Sequence, residues 1–218
     1  MRTLIATAMV FLLAGSGSAE TVIETRVDED TREWNFTVYL DDKEIGYHTF
    51  RVDEMPGGQQ LLSEADFEVR FLFFTAYEYE HWNRETWRDE CLYEIRSETD
   101  ANGQRFRVRG EKTGDGFEVE ATNVSKEVDG CIKTFAYWDP RFLEEDQLLN
   151  AQTGELLDVD VQRVARETLT VRGQQIDAQR YRLQAKNVEV DVWYSDDECW
   201  VALESTVKGG RKLRYVLS

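Results

Sequence analysis

The sequence predicts a mainly β protein: a single antiparallel curved sheet, or an incomplete β-barrel, with one short helix packed on it or plugging it. Most of the chain alternates apolar and polar residues with the period of two that is typical of strands. Glycine-containing turns recur at hairpin spacing, and the chain has only two prolines. A sheet of about a dozen strands is expected to curl, because strand twist accumulates across it.

The first residues predict a secretory signal peptide. Arg2 precedes a short apolar core, Leu4–Leu13, and a run of small residues ends at Ala19. This pattern predicts cleavage after about Ala19, so that residues 1–19 are the signal peptide and residues 20–218 are a single β-rich domain. We therefore expect a soluble protein that is periplasmic or secreted. No later segment is apolar enough to predict a transmembrane helix.

The charge balance disfavours two classes of partner. The formal net charge is −17, whereas nucleic acids and anionic membranes are bound through Lys and Arg. We therefore expect no nucleic-acid partner. The simplest interpretation of the acidic residues is a solvated face around a sheet, and a basic protein partner is compatible with it.

The N-terminal half predicts a series of hairpins. Trp34, Phe36, Val38 and Leu40 share one face of a first strand. The second arm runs over residues 45–52, and Gly46 inside it indicates a bulge or a close backbone approach. Further strands are predicted over residues 60–74, 76–82, 87–95, 105–109, 117–121 and 131–138.

One stretch predicts a helix, over about residues 139–150. Asp139 can cap free amides of a first helical turn, and Pro140 suits the first helical position. A short helix cannot bury an apolar stripe by itself, so it must lie on the sheet or plug it. The stripe consists of Phe142, Leu143, Leu148 and Leu149.

After the helix, the sequence again predicts strands and reversals. Gly209-Gly210 lies between two alternating segments and is the clearest hairpin turn of this half. The predicted strands cover residues 156–166, 167–172, 175–185, 188–194, 200–208 and 213–217.

Three cysteines, Cys91, Cys131 and Cys199, allow three pairings. An oxidising compartment favours one disulfide. We favour Cys91–Cys131, because both lie in strand-like segments on either side of hairpins that bring distant strands together. The other pairings and the reduced state stay open at this stage. Cys199 is then expected to be a buried free thiol beside Trp200.

The sequence predicts no metal site, no cofactor and no catalytic residues. The two histidines are His48 and His81. On a strand, Glu78 and Glu80 would face away from His81, which disfavours a metal cluster. The mature chain contains no Gly-x-Ser-x-Gly elbow and no phosphate-binding glycine loop. We therefore do not expect an enzyme.

Aromatic residues crowd the strands that would line a curved sheet, which suggests a cavity for a lipid or another apolar small molecule with the helix as its lid or plug. The alternative interpretation is an ordinary packed core. The residues predicted to bind the ligand are Phe67, Phe71, Phe73, Tyr77, Trp82, Trp138 and Phe142.

Four tracts resemble an uncharacterised family of exported bacterial proteins, which has a domain of unknown function. They are Asp-x-x-Ile-Gly-Tyr-His ending at His48, the tract from Trp138-Asp-Pro-Arg141 to Gly154, Asp191-Val-Trp-Tyr-Ser195, and Gly209-Gly-Arg-Lys-Leu-Arg-Tyr215. The resemblance covers nearly all of the mature chain and implies no activity or catalytic residue. The predicted layout is distantly similar to the half-barrels of periplasmic lipoprotein-localisation factors, and such a likeness does not determine function.

The leading hypothesis is an exported binding protein of the bacterial envelope whose concave sheet holds a hydrophobic or acyl-bearing ligand. The alternative is a structural or protein-interaction module of the envelope, with a filled core and an envelope protein as its partner. An enzyme is the third hypothesis, and polar groups with perturbed protonation in one cleft would revive it.

Overall fold

The computed structural model describes residues 31–71, 74–207 and 209–218, so the predicted signal peptide lies outside the described residues. The described chain forms 14 strands and one short 3₁₀ helix, Pro140–Glu144. The first eight strands are β1 Thr31–Leu40, β2 Lys43–Met55, β3 Gly58–Phe71, β4 Phe74–Arg88, β5 Cys91–Ala101, β6 Gln104–Thr113, β7 Gly116–Ala121 and β8 Val124–Asp129. The other six are β9 Gln147–Leu149, β10 Leu156–Val171, β11 Gln174–Ala185, β12 Val188–Ser195, β13 Trp200–Val207 and β14 Arg211–Leu217.

All 14 strands belong to one antiparallel sheet, which confirms the predicted fold class. Its order is β8-β7-β6-β5-β4-β3-β2-β1-β14-β13-β12-β11-β10-β9. The chain therefore forms two meanders that meet where the first strand pairs with the last, from Phe36 opposite Leu217 to Leu40 opposite Leu213. Among the described residues β8 and β9 do not pair with each other, so the sheet is a barrel that stays open.

The alternation in β1 determines which face of the sheet is covered. Trp34, Phe36, Val38 and Leu40 are all buried, as their spacing predicts. Trp34 and Phe36 belong to a core cluster that also contains residues of β5, β7, β12 and β13. Both meanders thus bury their apolar faces against the same interior.

The predicted helix over residues 139–150 is wrong beyond Glu144. Its beginning is confirmed, because the Asp139 side chain accepts a hydrogen bond from the Arg141 backbone N–H at 3.1 Å and Pro140 follows the cap. Glu145 is extended, and Leu148 and Leu149 lie in β9, which pairs with β10. Over so few residues the apolar spacing fits either a helix or a strand, and pairing with a distant strand decides between the two.

Two other predicted strands are also wrong. The strand predicted over 87–95 is interrupted by a reversal at Asp89 and Glu90, whose φ angles are +48° and +64°. Neither residue is a glycine, so Asp89 alone gives a turn signal there, and the alternation around it outweighed that signal. The strand predicted over 131–138 is a loop with one bridge, from Thr134 to Leu149.

Gly46 makes the close backbone approach that its position in a strand predicts. Its φ is +149°, and a Cβ atom built on it would lie 1.9 Å from the carbonyl oxygen of Asp66 in β3. The register of β1 against β2 shifts between Val38 and Tyr39, directly opposite. Any larger side chain would separate β2 from β3, because the blocking atom belongs to the backbone.

The predicted disulfide Cys91–Cys131 is confirmed. It joins the start of β5 to the start of residues 130–155, which we call the plug segment. Beside it, the backbone N–H of Leu92 donates to the carbonyl of Ile132 at 2.8 Å. Cys199 is free but exposed, so its predicted burial is wrong: it lies at the end of the reversal before β13, where the following Trp200 turns into the core.

Loss of the disulfide should lower stability strongly. The bridge closes a loop with a sequence separation of 40 residues, for which chain entropy predicts about 4 kcal/mol. The variant C91S/C131S should lose up to this free energy of unfolding in urea, and the exposed-thiol variant Cys199→Ser should unfold like the original protein. If the double variant and Cys199→Ser unfolded at the same midpoint concentration of urea, the prediction would be contradicted.

Candidate functional site

The plug segment lies on the concave face and hydrogen-bonds to both meanders. Its residue Phe142 is fully buried. On one side the Tyr194 hydroxyl of β12 donates to the carbonyl of Tyr137 at 2.6 Å. On the other side the Tyr79 hydroxyl of β4 donates to Oε1 of Gln152 at 3.1 Å. The segment is therefore held by one strand of each meander.

A cavity of about 190 Å³ lies between the plug segment and the inner faces of β2, β3 and β4. Its wall combines aromatic and aliphatic side chains with polar ones, which is the composition of many small-molecule sites. The lining residues are His48, Phe50, Leu61, Ser63, Tyr79, His81, Asn83, Glu85, Thr134, Phe135, Tyr137, Trp138, Asn150, Ala151, Gln152 and Val188.

Strand alternation brings the polar residues of the wall together. Within β4, His81, Asn83 and Glu85 are two residues apart and face the interior. The register places Ser63 of β3 opposite Asn83. His48 lies at the same inward phase of β2, two residues before the buried Phe50.

The imidazole of His48 links three strands. Its Nε2 lies 2.7 Å from the Ser63 hydroxyl, and its Nδ1 lies 3.1 Å from the Tyr215 hydroxyl of β14. Its ring stacks on Phe50 with centroids 4.1 Å apart. Burial lowers the pKa of His48 well below its usual value, and nearby His81 lowers it further. The imidazole is therefore neutral at pH 7.

The second histidine is also neutral. Nδ1 of His81 lies 2.8 Å from the Thr99 hydroxyl of β5. Burial lowers the pKa of His81 to about 4. The rings of His48 and His81 are 6.4 Å apart, so a proton on one would disfavour a proton on the other.

Glu85 is a buried carboxyl group in the same wall. It accepts hydrogen bonds from Asn83 Nδ2 and Trp87 Nε1, both at 2.9 Å, and from the Thr134 hydroxyl at 3.2 Å. Burial raises the pKa of Glu85 and outweighs the lowering effect of these three donors. The bonds connect β4 to the plug segment through Thr134.

The order Ser63–His48–Tyr215 superficially matches a nucleophile, its base and an orienting group. A base that accepts the serine proton must become an imidazolium. Here that cation would be buried next to His81, and the orienting group is a neutral phenol where hydrolases place a carboxylate. The arrangement stabilises neutral imidazoles, so it suits binding better than nucleophilic catalysis.

Within the described residues, no group of three or more His, Cys, Asp or Glu side chains could hold a metal ion. Nor do the described residues include a helix that is long and apolar enough to cross a membrane.

The structure separates the seven aromatic residues predicted to bind a ligand. Trp138 lines the cavity, and Phe142, from the same plug segment, is buried in the core. Phe67 is buried beside the cavity, where it stacks on Tyr79 with ring centroids 5.2 Å apart. Tyr77 is 39% exposed.

Of the other three predicted residues, Trp82 is the one whose side chain the structure describes. Trp82 faces away from His81 and Asn83, because it is one residue out of phase with them in β4; its cross-strand partners are Glu64 and Glu98. Phe71 is the last residue of β3, and Phe73 lies outside the described residues. Of the five predicted residues whose side chains the structure describes, only Trp138 is a lining residue of this cavity.

Sequence reasoning overlooked the polar members of the wall. Ser63 occupies an inward position of β3, whose neighbouring inward residues Leu61 and Ala65 are apolar. In β4, Asn83 and Glu85 lie at the inward positions between His81 and the buried Trp87. The available signal for such a site was a polar residue at a strand position where the alternation predicts an apolar, inward-facing one. Only the pairing of β2, β3 and β4 shows that several such positions meet.

The family described as Domain of unknown function (DUF6134) matches residues 36–218, and the chain belongs to this family. This confirms the resemblance to an uncharacterised family. Among curated proteins, no match is found. The crystal structure of a beta-barrel-like protein of domain of unknown function DUF1849 from Brucella abortus is similar, with a TM-score of 0.63 over 87% of this chain and 96% of that chain. At 6% identity, this likeness establishes a barrel-like fold alone.

The buried histidines predict loss of stability in mild acid. A folded pKa of about 4 for His81 lies below the unfolded value of about 6.5, so the unfolded chain takes up the proton first as the pH falls. Between pH 7 and pH 5, His81 alone should lower the free energy of unfolding by about 2 kcal/mol. His48 acts in the same direction.

Urea unfolding of the original protein and of His81→Gln at pH 8, 7 and 5 checks this. Between pH 7 and pH 5, the free energy of unfolding should fall by about 2 kcal/mol less in the variant than in the original protein. Between pH 8 and pH 7, it should change by the same amount in both proteins. Parallel losses down to pH 5 would show that His81 titrates normally.

Proposed function

We propose that this protein is an exported binding protein of the bacterial envelope that holds a small apolar or acyl-bearing ligand in the cavity beneath the plug segment. The observation that carries the proposal is this cavity of about 190 Å³, walled by Phe50, Leu61 and Trp138 and by a small number of hydrogen-bonding side chains. Apolar walls supply affinity, and few polar groups supply orientation.

Two observations support the export part of the proposal. The pattern of residues 1–19 is that of a signal peptide, with residues 20–218 as one mature domain. The disulfide Cys91–Cys131 suits an oxidising compartment such as the periplasm.

The size of the cavity limits the ligand. Sites for drug-sized molecules usually occupy about 300–1,000 Å³, and this cavity is smaller. A short acyl chain, or the end of a longer one, matches the space. Phe67 and Phe142 then support the wall from behind without touching the ligand, and the plug segment acts as its cover.

Binding of 1-octanol tests the proposal directly. Titration should change the tryptophan fluorescence, because Trp138 lines the cavity, and native mass spectrometry should show one bound molecule. The variant Ala151→Leu fills the cavity and should weaken binding by about tenfold or more, since an overpacked site must shift its neighbours. Val164→Leu, at a residue 45% exposed on β10, is the matched control and should bind normally. If Ala151→Leu bound 1-octanol with the same affinity as the original protein, the cavity would not be the binding site.

One observation favours the second candidate, a protein-interaction module. The backbone of β10 pairs with β11 along most of its length. On its other edge, among the residues that the structure describes, it pairs with β9 only from Leu156 to Asp158. An exposed strand edge can pair with a strand of another protein.

Crosslinking in cells tests this candidate. The original protein should capture one defined envelope protein, and Val164→Lys on the open edge should lose it while retaining 1-octanol binding. A partner captured equally by Val164→Lys would exclude this edge as the interface.

A further inference from the structure

We propose that the cavity selects uncharged ligands that present both a hydrogen-bond donor and an acceptor, such as a primary amide, and rejects a carboxylate with the same chain. This inference rests on the proposed binding function, and it names the chemical class of the ligand.

The first observation is a pair of unpartnered polar atoms in the wall. Asn83 Oδ1, an acceptor, and Trp138 Nε1, a donor, are buried and form no hydrogen bond within the described chain. Both residues line the cavity, and they are 4% and 3% exposed. Buried polar groups without partners are rare in folded proteins, so two on one cavity indicate that a bound molecule completes them.

The two atoms belong to one connected cluster. The ring of Trp138 packs edge-on against Trp87 with centroids 5.6 Å apart. Trp87 and Asn83 both donate to the carboxyl group of Glu85. An amide ligand can donate N–H to the free acceptor and accept from the free indole N–H, which matches both groups in number and in kind.

The second observation is the absence of a compensating positive charge from the described wall. The lining includes no Lys or Arg. His48 and His81 are held neutral by burial. Arg32 packs over the ring of Trp138 at 5.4 Å, but it does not line the cavity and its guanidinium pairs with Glu54. A carboxylate in the cavity would lose its hydration without gaining an ionic partner, and it would lie near Glu85.

Calorimetric titration with octanamide and octanoate at pH 7.5 tests the selectivity, because the two probes have equal chain lengths. Octanamide should bind at least about tenfold more tightly, as expected for the loss of hydration of a buried charge. Trp138→Phe keeps an aromatic ring but removes the indole N–H, and it should lower the affinity for octanamide about fivefold. Trp82→Phe, on the outer face, is the matched control and should leave the affinity unchanged. Toluene, which forms no such hydrogen bond, should bind Trp138→Phe as it binds the original protein.

The outcomes separate the two proposals. If octanoate binds as tightly as octanamide, the inference is overturned and the binding function stands. If neither 1-octanol nor octanamide binds, both are overturned. If Trp138→Phe and Trp82→Phe bind octanamide equally, the indole N–H has no role. A crystal structure of the complex with water on both Asn83 Oδ1 and Trp138 Nε1, and the amide elsewhere, would also overturn the inference.

Discussion

A curled sheet must have its concave apolar face covered, and here the plug segment covers it. Phe142, Leu148 and Leu149 are fully buried, each in the core that both meanders share. Without this cover the two meanders would expose a continuous apolar face to water, at a cost of about 25 cal/mol for each Å². The disulfide at one end of the segment and its hydrogen bonds to Tyr79 and Tyr194 hold the cover in place.

The cover does not fill the interior completely, and what surrounds the remaining space determines its chemistry. The side chains facing it hydrogen-bond mainly to one another, as His48 does with Ser63 and Glu85 with Thr134. Burial keeps both histidines neutral and raises the pKa of Glu85. Such a wall can orient a neutral molecule, but it stabilises neither an imidazolium nor a bound anion. This is the physical basis of the proposed binding function.

Strand-level features were predictable because they depend on near neighbours in the chain. The alternation of Trp34 to Leu40, the close approach at Gly46 and the cap at Asp139 follow from local geometry, and the structure has each of them. The reversal at Asp89-Glu90 was missed, since it has no glycine and its two residues adopt positive φ angles. The extended conformation of Leu148 and Leu149 depends on pairing with β10, which no local pattern encodes.

The sequence by itself determined an antiparallel curled sheet and its inward apolar face, because a period of two and turn chemistry are properties of short segments. It favoured the pairing of Cys91 with Cys131 but left the other pairings open, and the structure decided between them. Only the tertiary structure decided which side chains meet inside. Ser63 and Asn83 become neighbours through the register of β3 with β4, and the plug segment brings Thr134 and Trp138 against them. The site is made from five separate segments, which are β2, β3, β4, the plug segment and β12. It therefore depends on long-range register and on the path of one loop, and the periodicity of a single strand encodes neither.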